Sequence, residues 1–457
     1  YCAMQITREE LIRTYGGIFV RFDFAQPLSF VYGGESYDLT EPDALEALML
    51  RAKADGDYMV SKIANNVLAV YETEHQVERY RHLPVMMHIE LSSYCNCECI
   101  MCKHCYEKNN EAKYLPWEKF DELEQYFATC KIVIINGYGE PLIHPQISRI
   151  IDTFTRYQVK MFTTTNLQSL PVDNLAQINQ VFARLNISCD GARATTYESI
   201  RRGASFATFV ENVRTLRQHC PAVPLYMSVV AMRQNIEEAV ELVRLAKELG
   251  FEEIRFGRLG SNLLLGNEKD ELIYYPNFAA YMLEKAKREG ERLGVRVVIP
   301  VILKDSAIDE EALVREQEAL HQLPFYHGEE HYEELRKAYL QLKAQHKFDH
   351  HLYTTEGAIS CQGLCHWIGF GLYINCSGKV RPCSEIPYNR EQERREERID
   401  YNYEELVDFR RQFIAGRVPR GCMDCAFIMS DEIGCLQVNM QEYKQYFKDK
   451  AGLTDRP

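Results

Sequence analysis

Met86-Met-His-Ile-Glu-Leu-Ser-Ser-Tyr-Cys95-Asn-Cys-Glu-Cys99-Ile-Met-Cys102-Lys-His-Cys105 carries five of the sixteen cysteines of a 457-residue chain. The apolar run from Val85 to Leu91 reads as a buried strand. It ends in a loop that holds Cys95, Cys99 and Cys102, with three and then two residues between them. Three thiolates on one short loop can each take one iron of a cuboidal iron-sulfur cluster, which leaves the fourth iron without a protein ligand. An open iron can bind and activate a second molecule. Cys99, Cys102 and Cys105 could instead open a ferredoxin-type run, but that run places its next cysteine at 109, which is Asn. Zinc takes thiolates at the same spacings, so the loop by itself leaves a zinc knot open.

Composition sets the bounds. With 46% hydrophobic and 26% charged residues the chain is an ordinary globular protein. Its net charge of -13 argues against holding nucleic acid by its phosphates. No run of about 18 apolar residues exists and the N-terminus lacks the order of a signal peptide, so the expectation is a cytoplasmic protein with no membrane segment. Twelve of the cysteines fall in two groups, 95 to 105 and 361 to 435. In a reducing compartment such grouping argues for metal sites rather than disulfides. Cys2, Cys130, Cys189 and Cys220 are scattered and read as small buried hydrophobes.

Residues 1–84 form an α+β module: a capping box at Thr7-Arg-Glu-Glu before a short helix, strands at Ile18 to Phe24 and Leu28 to Tyr32, then helices at Glu41 to Ala54 and from Tyr58 to about Tyr71. Residues 85–303 alternate strand and helix. Strands are expected at 86–91, 131–136, 158–164, 183–188, 225–231 and 253–258, with a last apolar strand at Val295 to Val301. Six such units predict a partial (β/α)6, TIM-like barrel, whose chemistry collects at the carboxyl ends of the strands. Residues 304–355 read as a charged helical bridge with helical periodicity at Tyr332 to Gln345, its histidines at the surface. Residues 356–457 hold the second cysteine group.

Cys95, Cys99 and Cys102 resemble the cluster loop of the radical S-adenosylmethionine (SAM) enzymes, in which SAM chelates the fourth iron through its amino and carboxylate groups. Gly137-Tyr138-Gly139-Glu140-Pro141, after the second strand, resembles the family's Gly-Glu-Pro motif for the methionyl amino group. Thr165-Asn166, after the third strand, resembles its Thr-Asn turn beside the ribose. Ser188 and Arg201, after the fourth strand, are carried over as contacts to the SAM carboxylate, and Met101 as an adenine contact. The weak order of elements in residues 5–85 resembles the winged-helix leader-peptide recognition domains fused to many peptide-modifying members. A cap over the barrel mouth accounts for that order equally well.

Cys365, Gly378 and Cys383 with Cys422 and Cys425 resemble the SPASM and Twitch extensions of the same family, which hold auxiliary clusters. The SPASM run departs here, because position 431 is Asp. The resemblance therefore implies at least one auxiliary 4Fe-4S cluster, on Cys365, Cys383, Cys422 and Cys425, with Cys361, Cys376 and Cys435 left over. A four-cysteine zinc site remains open at this level. The implied chemistry is reductive cleavage of SAM to a 5'-deoxyadenosyl radical that abstracts a substrate hydrogen, with flavodoxin or ferredoxin as reductant. The expected substrate is a ribosomally made peptide, to be crosslinked, given a thioether or epimerised. A small molecule such as an aminosugar, aminocyclitol or cofactor precursor is the alternative, and a non-catalytic iron-sulfur or zinc scaffold is a third reading. Epimerisation would need a thiol to return a hydrogen atom, and Cys97, Cys105, Cys361 and Cys435 are the candidates.

Overall fold

Strands that alternate buried and half-buried residues, each followed by a helix with one apolar face, leave the chain one economical arrangement, a parallel sheet with helices on its outer side. The computed structural model describes residues 4–18, 20–102, 114–259, 270–299, 308–322, 361–384, 399–419, 422 and 436–438. The N-terminal module contains β1 (Met4–Ile6), α1 (Arg8–Tyr15), β2 (Leu28–Tyr32), β3 (Glu35–Asp38), α2 (Pro42–Ala54) and α3 (Tyr58–Glu74). The capping box is formed: Thr7 Oγ1 accepts from the Glu10 N–H and Glu10 Oε2 accepts from the Thr7 N–H. The strand expected at 18–24 is not formed among its described residues. Asp23 Oδ1 turns the chain by accepting from the Ala25 N–H at 3.0 Å. The Phe22 and Phe24 rings pack on each other at 4.7 Å, and Phe24 packs on Tyr71 of α3, so this segment docks by aromatic contact rather than by a ladder. β2 pairs instead with β1, parallel, and with β3, antiparallel.

The barrel follows: β4 (Met86–Ile89), β5 (Glu98–Cys99), α4 (Trp117–Phe127), β6 (Ile132–Ile134), α5 (Ile147–Arg156), β7 (Lys160–Thr165), α6 (Leu175–Val181), β8 (Phe182–Ser188), α7 (Ala194–Ile200), β9 (Arg201–Arg202), α8 (Phe206–His219), β10 (Leu225–Ala231), α9 (Ala239–Glu248), β11 (Glu253–Arg258), α10 (Pro276–Leu293) and β12 (Arg296–Val298). All six expected strands are present, and they lie side by side in parallel in the order β4-β6-β7-β8-β10-β11. β12 adds a seventh beyond β11. Of the stretch 304–355, residues 308–322 are described. They hold α11 (Glu310–Gln322), whose Glu316 accepts from Asn277 Nδ2 and the Phe278 N–H while Leu320 joins the barrel core. The helix expected at 332–345 lies outside the described residues.

The C-terminal segment extends the barrel sheet itself. It contains β13 (Cys361–Gly363), α12 (His366–Phe370), β14 (Gly371–Ile374), β15 (Val380–Arg381), α13 (Glu404–Ile414) and β16 (Leu436–Val438). β14 runs parallel to β4, pairing Gly371 with Met86 through Ile374 with Ile89, and β15 turns back antiparallel. The reverse turn between them needs the left-handed backbone of Gly378, at φ 78°.

Polar side chains fix how these parts dock. On α3, Lys62 Nζ donates to the Tyr157 carbonyl at 2.6 Å and the Phe127 carbonyl at 3.2 Å, and Asn65 pairs with both backbone groups of Leu83. These acceptors precede β6, β7 and β4, so α3 meets the amino ends of the barrel strands, opposite the cysteine loop. Arg410 of α13 is fully buried between the rings of Tyr80 and Tyr401. It donates to the carbonyls of Ile368, Tyr401 and Glu78 and to Asn402 Oδ1. Replacing it strands several buried acceptors at once. Arg410→Met should cost about 3 kcal/mol in denaturant unfolding. A loss below about 1 kcal/mol would show that the docking rests on apolar contact alone.

Candidate functional site

The parallel ladder puts the loops after β4, β6, β7 and β8 on one edge, and there the expected residues meet. The cysteine loop is anchored by its own short pairing: Cys99 and Glu98 in β5 lie antiparallel to Arg201 and Arg202 in β9. Cys99 is buried, while Cys95 and Cys102 are half-buried. The Cys102 N–H donates to the Cys99 carbonyl at 3.0 Å, closing the turn between the two thiols.

The glycine loop lies against the cysteine loop. The Gly139 N–H donates to the Ser92 carbonyl at 3.0 Å and the Glu140 N–H to the Tyr94 carbonyl at 2.9 Å. A Cβ at Gly139 would lie 2.2 Å from the Tyr94 oxygen, so only glycine permits this approach. Glu140 is buried at the head of the one-turn helix Pro141–Ile143. Its Oε1 accepts from Thr165 Oγ1 at 2.6 Å and the Leu142 N–H at 3.1 Å, and its Oε2 accepts from the Asn166 N–H at 2.7 Å. Three of the roughly four acceptor positions of a carboxylate are thus filled by the protein, leaving one for a ligand. Burial raises the Glu140 pKa while these hydrogen bonds work the other way.

Asn166 joins the third loop to the first. Its Nδ2 donates to Asn96 Oδ1 at 2.8 Å and lies 3.3 Å from Cys97 Sγ and 3.7 Å from Cys95 Sγ. On the fourth loop, buried Asp190 holds the Arg201 guanidinium at 2.7 Å and accepts from the Val230 N–H. Arg201 Nη1 lies 3.7 Å from Cys99 Sγ. Burial pushes the Cys99 thiol up to about 12, and the nearby guanidinium opposes that by favouring thiolate. Met101 packs with Ile100 and Val230 against Ile200, Met232 and Leu259, an apolar patch over the ends of β10 and β11. Ser188 is half-buried at the carboxyl end of β8.

The inner face of the sheet is not packed shut. His88, Thr164, Arg184, Asn186, Ser188, Tyr226 and Ser228 are half-buried, whereas the residues alternating with them are buried against the helices. Arg184 sits between the Phe162 and Tyr226 rings, and among the described residues its buried Nε has no hydrogen-bond partner.

Among the described residues, no three His, Cys, Asp or Glu side chains converge on a single-ion site. The donor set suits a group that spreads its ligands over several corners, with three thiols on one loop and a glycine-lined backbone cradle beside them. In the C-terminal segment Cys383 and Cys422 are buried and Cys365 packs against the same core. Cys425 lies outside the described residues, as do Cys105 and Cys435. Cys361 is buried on β13, and Cys376 is buried in the turn after β14.

Two carboxylates of the site escaped the sequence reading. Asp190 lies two residues past Ser188, and nothing local in the sequence pairs it with Arg201. Glu90 was visible as one acid inside an apolar strand, a placement that costs free energy unless its oxygens find partners.

Residues 89–246 match the family model of the Radical SAM superfamily. The AdoMet-dependent heme synthase of Methanosarcina barkeri is 25% identical over 36% of this chain and 48% of its own length. The mycofactocin maturase MftC of Mycolicibacterium smegmatis is 25% identical over 38% and 45%. The chain thus spans about half the length of the curated relatives it matches. Among solved structures, Streptococcus suis SuiB bound to its precursor peptide SuiA overlaps with 77% of this chain and 69% of SuiB, at 14% identity and a TM-score of 0.47.

A methyl group at position 139 tests the loop contact directly. Gly139→Ala should displace the glycine loop from Tyr94 and weaken SAM binding more than tenfold, measured by anaerobic equilibrium dialysis. Unchanged binding would show that the two loops need not touch.

Proposed function

We propose, from the match of residues 89–246 to the Radical SAM superfamily model, that this chain is a radical SAM enzyme that modifies a ribosomally made peptide. The observation that carries the chemistry is the stitching of the Cys95, Cys99 and Cys102 loop to the glycine loop and to the Asn166 turn. In this reading those three thiols hold a 4Fe-4S cluster with one open iron. Gly137, Gly139, Glu140, Pro141, Asn166, Ser188 and Arg201 surround the methionyl and ribose parts of SAM, and Met101 lies under the adenine. When bound and reduced by a flavodoxin or ferredoxin, the cluster supplies one electron that breaks the C5'–S bond of SAM, releasing methionine and a 5'-deoxyadenosyl radical that takes a hydrogen atom from substrate.

The residues of the chain do the positioning. Glu140 keeps one acceptor position for the methionyl ammonium while holding Thr165 and the Asn166 backbone. Arg201, oriented by Asp190, offers cationic nitrogens to both Cys99 and the SAM carboxylate. The apolar patch of Ile200, Met232 and Leu259 excludes water from the adenine side. Cys365, Cys383, Cys422 and Cys425 are assigned to an auxiliary 4Fe-4S cluster, which would supply a one-electron acceptor where the product is oxidised. Cys97, held beside Asn166, and Cys361, Cys105 and Cys435 stay as hydrogen-donor candidates should the product be an epimer.

A peptide substrate is favoured by the resemblance to a mycofactocin maturase and by the polar, half-open inner face of the sheet, where Arg184 could receive a carboxylate. The N-terminal module is assigned to leader binding. Since α3 meets the amino ends of the strands, a leader held there must cross a sheet whose strands reach seven residues. At about 3.3 Å per residue this requires at least about seven extended residues between the leader motif and the modified residue. A small-molecule substrate is the second reading, since the same face could hold a polar metabolite.

The test asks first whether a short precursor-peptide reading frame lies beside the gene, and then uses the full chain, reconstituted anaerobically and reduced, with SAM and that peptide. The parent should form 5'-deoxyadenosine and a peptide of changed mass, Cys99→Ala should form neither, and the Cys365→Ala, Cys383→Ala double variant should keep SAM cleavage while losing peptide product. No SAM cleavage by the parent would leave the scaffold reading. Cleavage without any change to the peptide would favour the small molecule.

A further inference from the structure

Glu90 is 3% exposed, one residue past the end of β4. Its two oxygens serve two different parts of the chain. Oε1 accepts from the Tyr138 N–H at 2.8 Å, within the glycine loop. Oε2 accepts from the Cys376 N–H at 3.1 Å, in the turn between β14 and β15. Its own N–H donates to the Ile374 carbonyl at 2.8 Å, continuing the ladder that joins β14 to the barrel.

The glycine loop is shaped around this carboxylate. A Cβ at Gly137 would lie 2.2 Å from Glu90 Cγ and 2.7 Å from its Oε1. Gly137 is therefore glycine to admit Glu90, while Gly139 is glycine to admit the backbone of Tyr94. The far partner is equally fixed. Asn375 Oδ1 accepts from the Ser377 and Lys379 N–H groups and from Ser377 Oγ, which sets the turn and aims the Cys376 N–H at Glu90. That turn lies between Cys365 and Cys383.

We infer that Glu90 is a positioning residue through which the C-terminal cysteine segment sets the conformation of the Gly137–Pro141 loop. The inference rests on the assignment of that loop to SAM. A buried carboxylate can accept from two converging N–H donors at once, whereas an amide offers one oxygen and turns its NH2 against the other donor. Glu90→Gln therefore keeps shape and loses the bridge. The Cys376 thiol also hydrogen-bonds the Glu90 carboxylate, but the bridge is assigned to the backbone N–H.

The experiment measures SAM affinity of the reconstituted full chain from the change SAM makes in the EPR spectrum of the reduced cluster, with iron content determined in parallel. Glu90→Gln should weaken SAM binding about tenfold with iron unchanged. Cys376→Ala, which removes the thiol and keeps the N–H, should bind SAM more tightly than Cys376→Pro, which removes the N–H and should match Glu90→Gln. The Glu90→Gln, Cys376→Pro double variant should be no weaker than either alone, because both remove the same bridge. Parent-like affinity in Glu90→Gln, or additive losses in the double variant, would overturn the inference. If Glu90→Gln loses iron, the Ala and Pro variants at 376 decide, and equal affinity in the two overturns it. Failure of the parent itself to respond to SAM would instead refute the cofactor assignment on which this rests.

Discussion

Every part of the site depends on the parallel run of β4, β6, β7 and β8. Because four successive strands point the same way, four loops distant in sequence open on one edge of the sheet, and no loop has to reach. Placing backbone loops side by side creates a difficulty, since their N–H groups converge without a ladder to satisfy them. The chain answers it with buried carboxylates. Glu90 follows β4, Glu140 follows β6 and Asp190 follows β8, and each accepts backbone N–H groups from a neighbouring element. Three acids in low dielectric are costly unless satisfied, so their hydrogen bonds specify one arrangement of the loops.

The same economy explains how the C-terminal segment belongs to the barrel. β14 extends the sheet on the far side of β4, so the second cysteine group is joined covalently in sequence and by a ladder in space to the strand that carries the first. Arg410 and Lys62 dock the remaining parts by donating to backbone carbonyls, Arg410 from the C-terminal side and Lys62 from the N-terminal module. In the proposed function, electron exchange between the two clusters would benefit from such rigidity, because distance and orientation would then be set by the fold.

Much of this was legible in the sequence. Period-two alternation at 158–164 and 225–231, with helical patterns between, was enough to place the strands, and glycine and cysteine spacing was enough to mark their carboxyl ends. Other features depended on contacts between remote residues. Val20 and Phe22 have β-forming character, yet Asp23 turns the chain and the aromatic rings dock on α3, an outcome set by a helix some fifty residues away. Leu372 and Ile374 are too few to announce a strand, and β14 exists because β4 offers an open edge. Glu140 was readable as an acceptor but not as the anchor of Thr165 and Asn166. The bridge from Glu90 to Cys376 spans 286 positions, and no local pattern encodes it.

The claim that the first cysteine loop holds an open iron-sulfur cluster beside a separate auxiliary one is tested most directly by metal content. Iron and zinc per chain would be measured after anaerobic reconstitution in the parent and in the triple variant Cys95→Ala, Cys99→Ala, Cys102→Ala. The expected result is about eight irons per parent chain and about four in the triple variant, with no stoichiometric zinc. About one zinc per parent chain that disappears in the triple variant, or iron that does not fall, would contradict it.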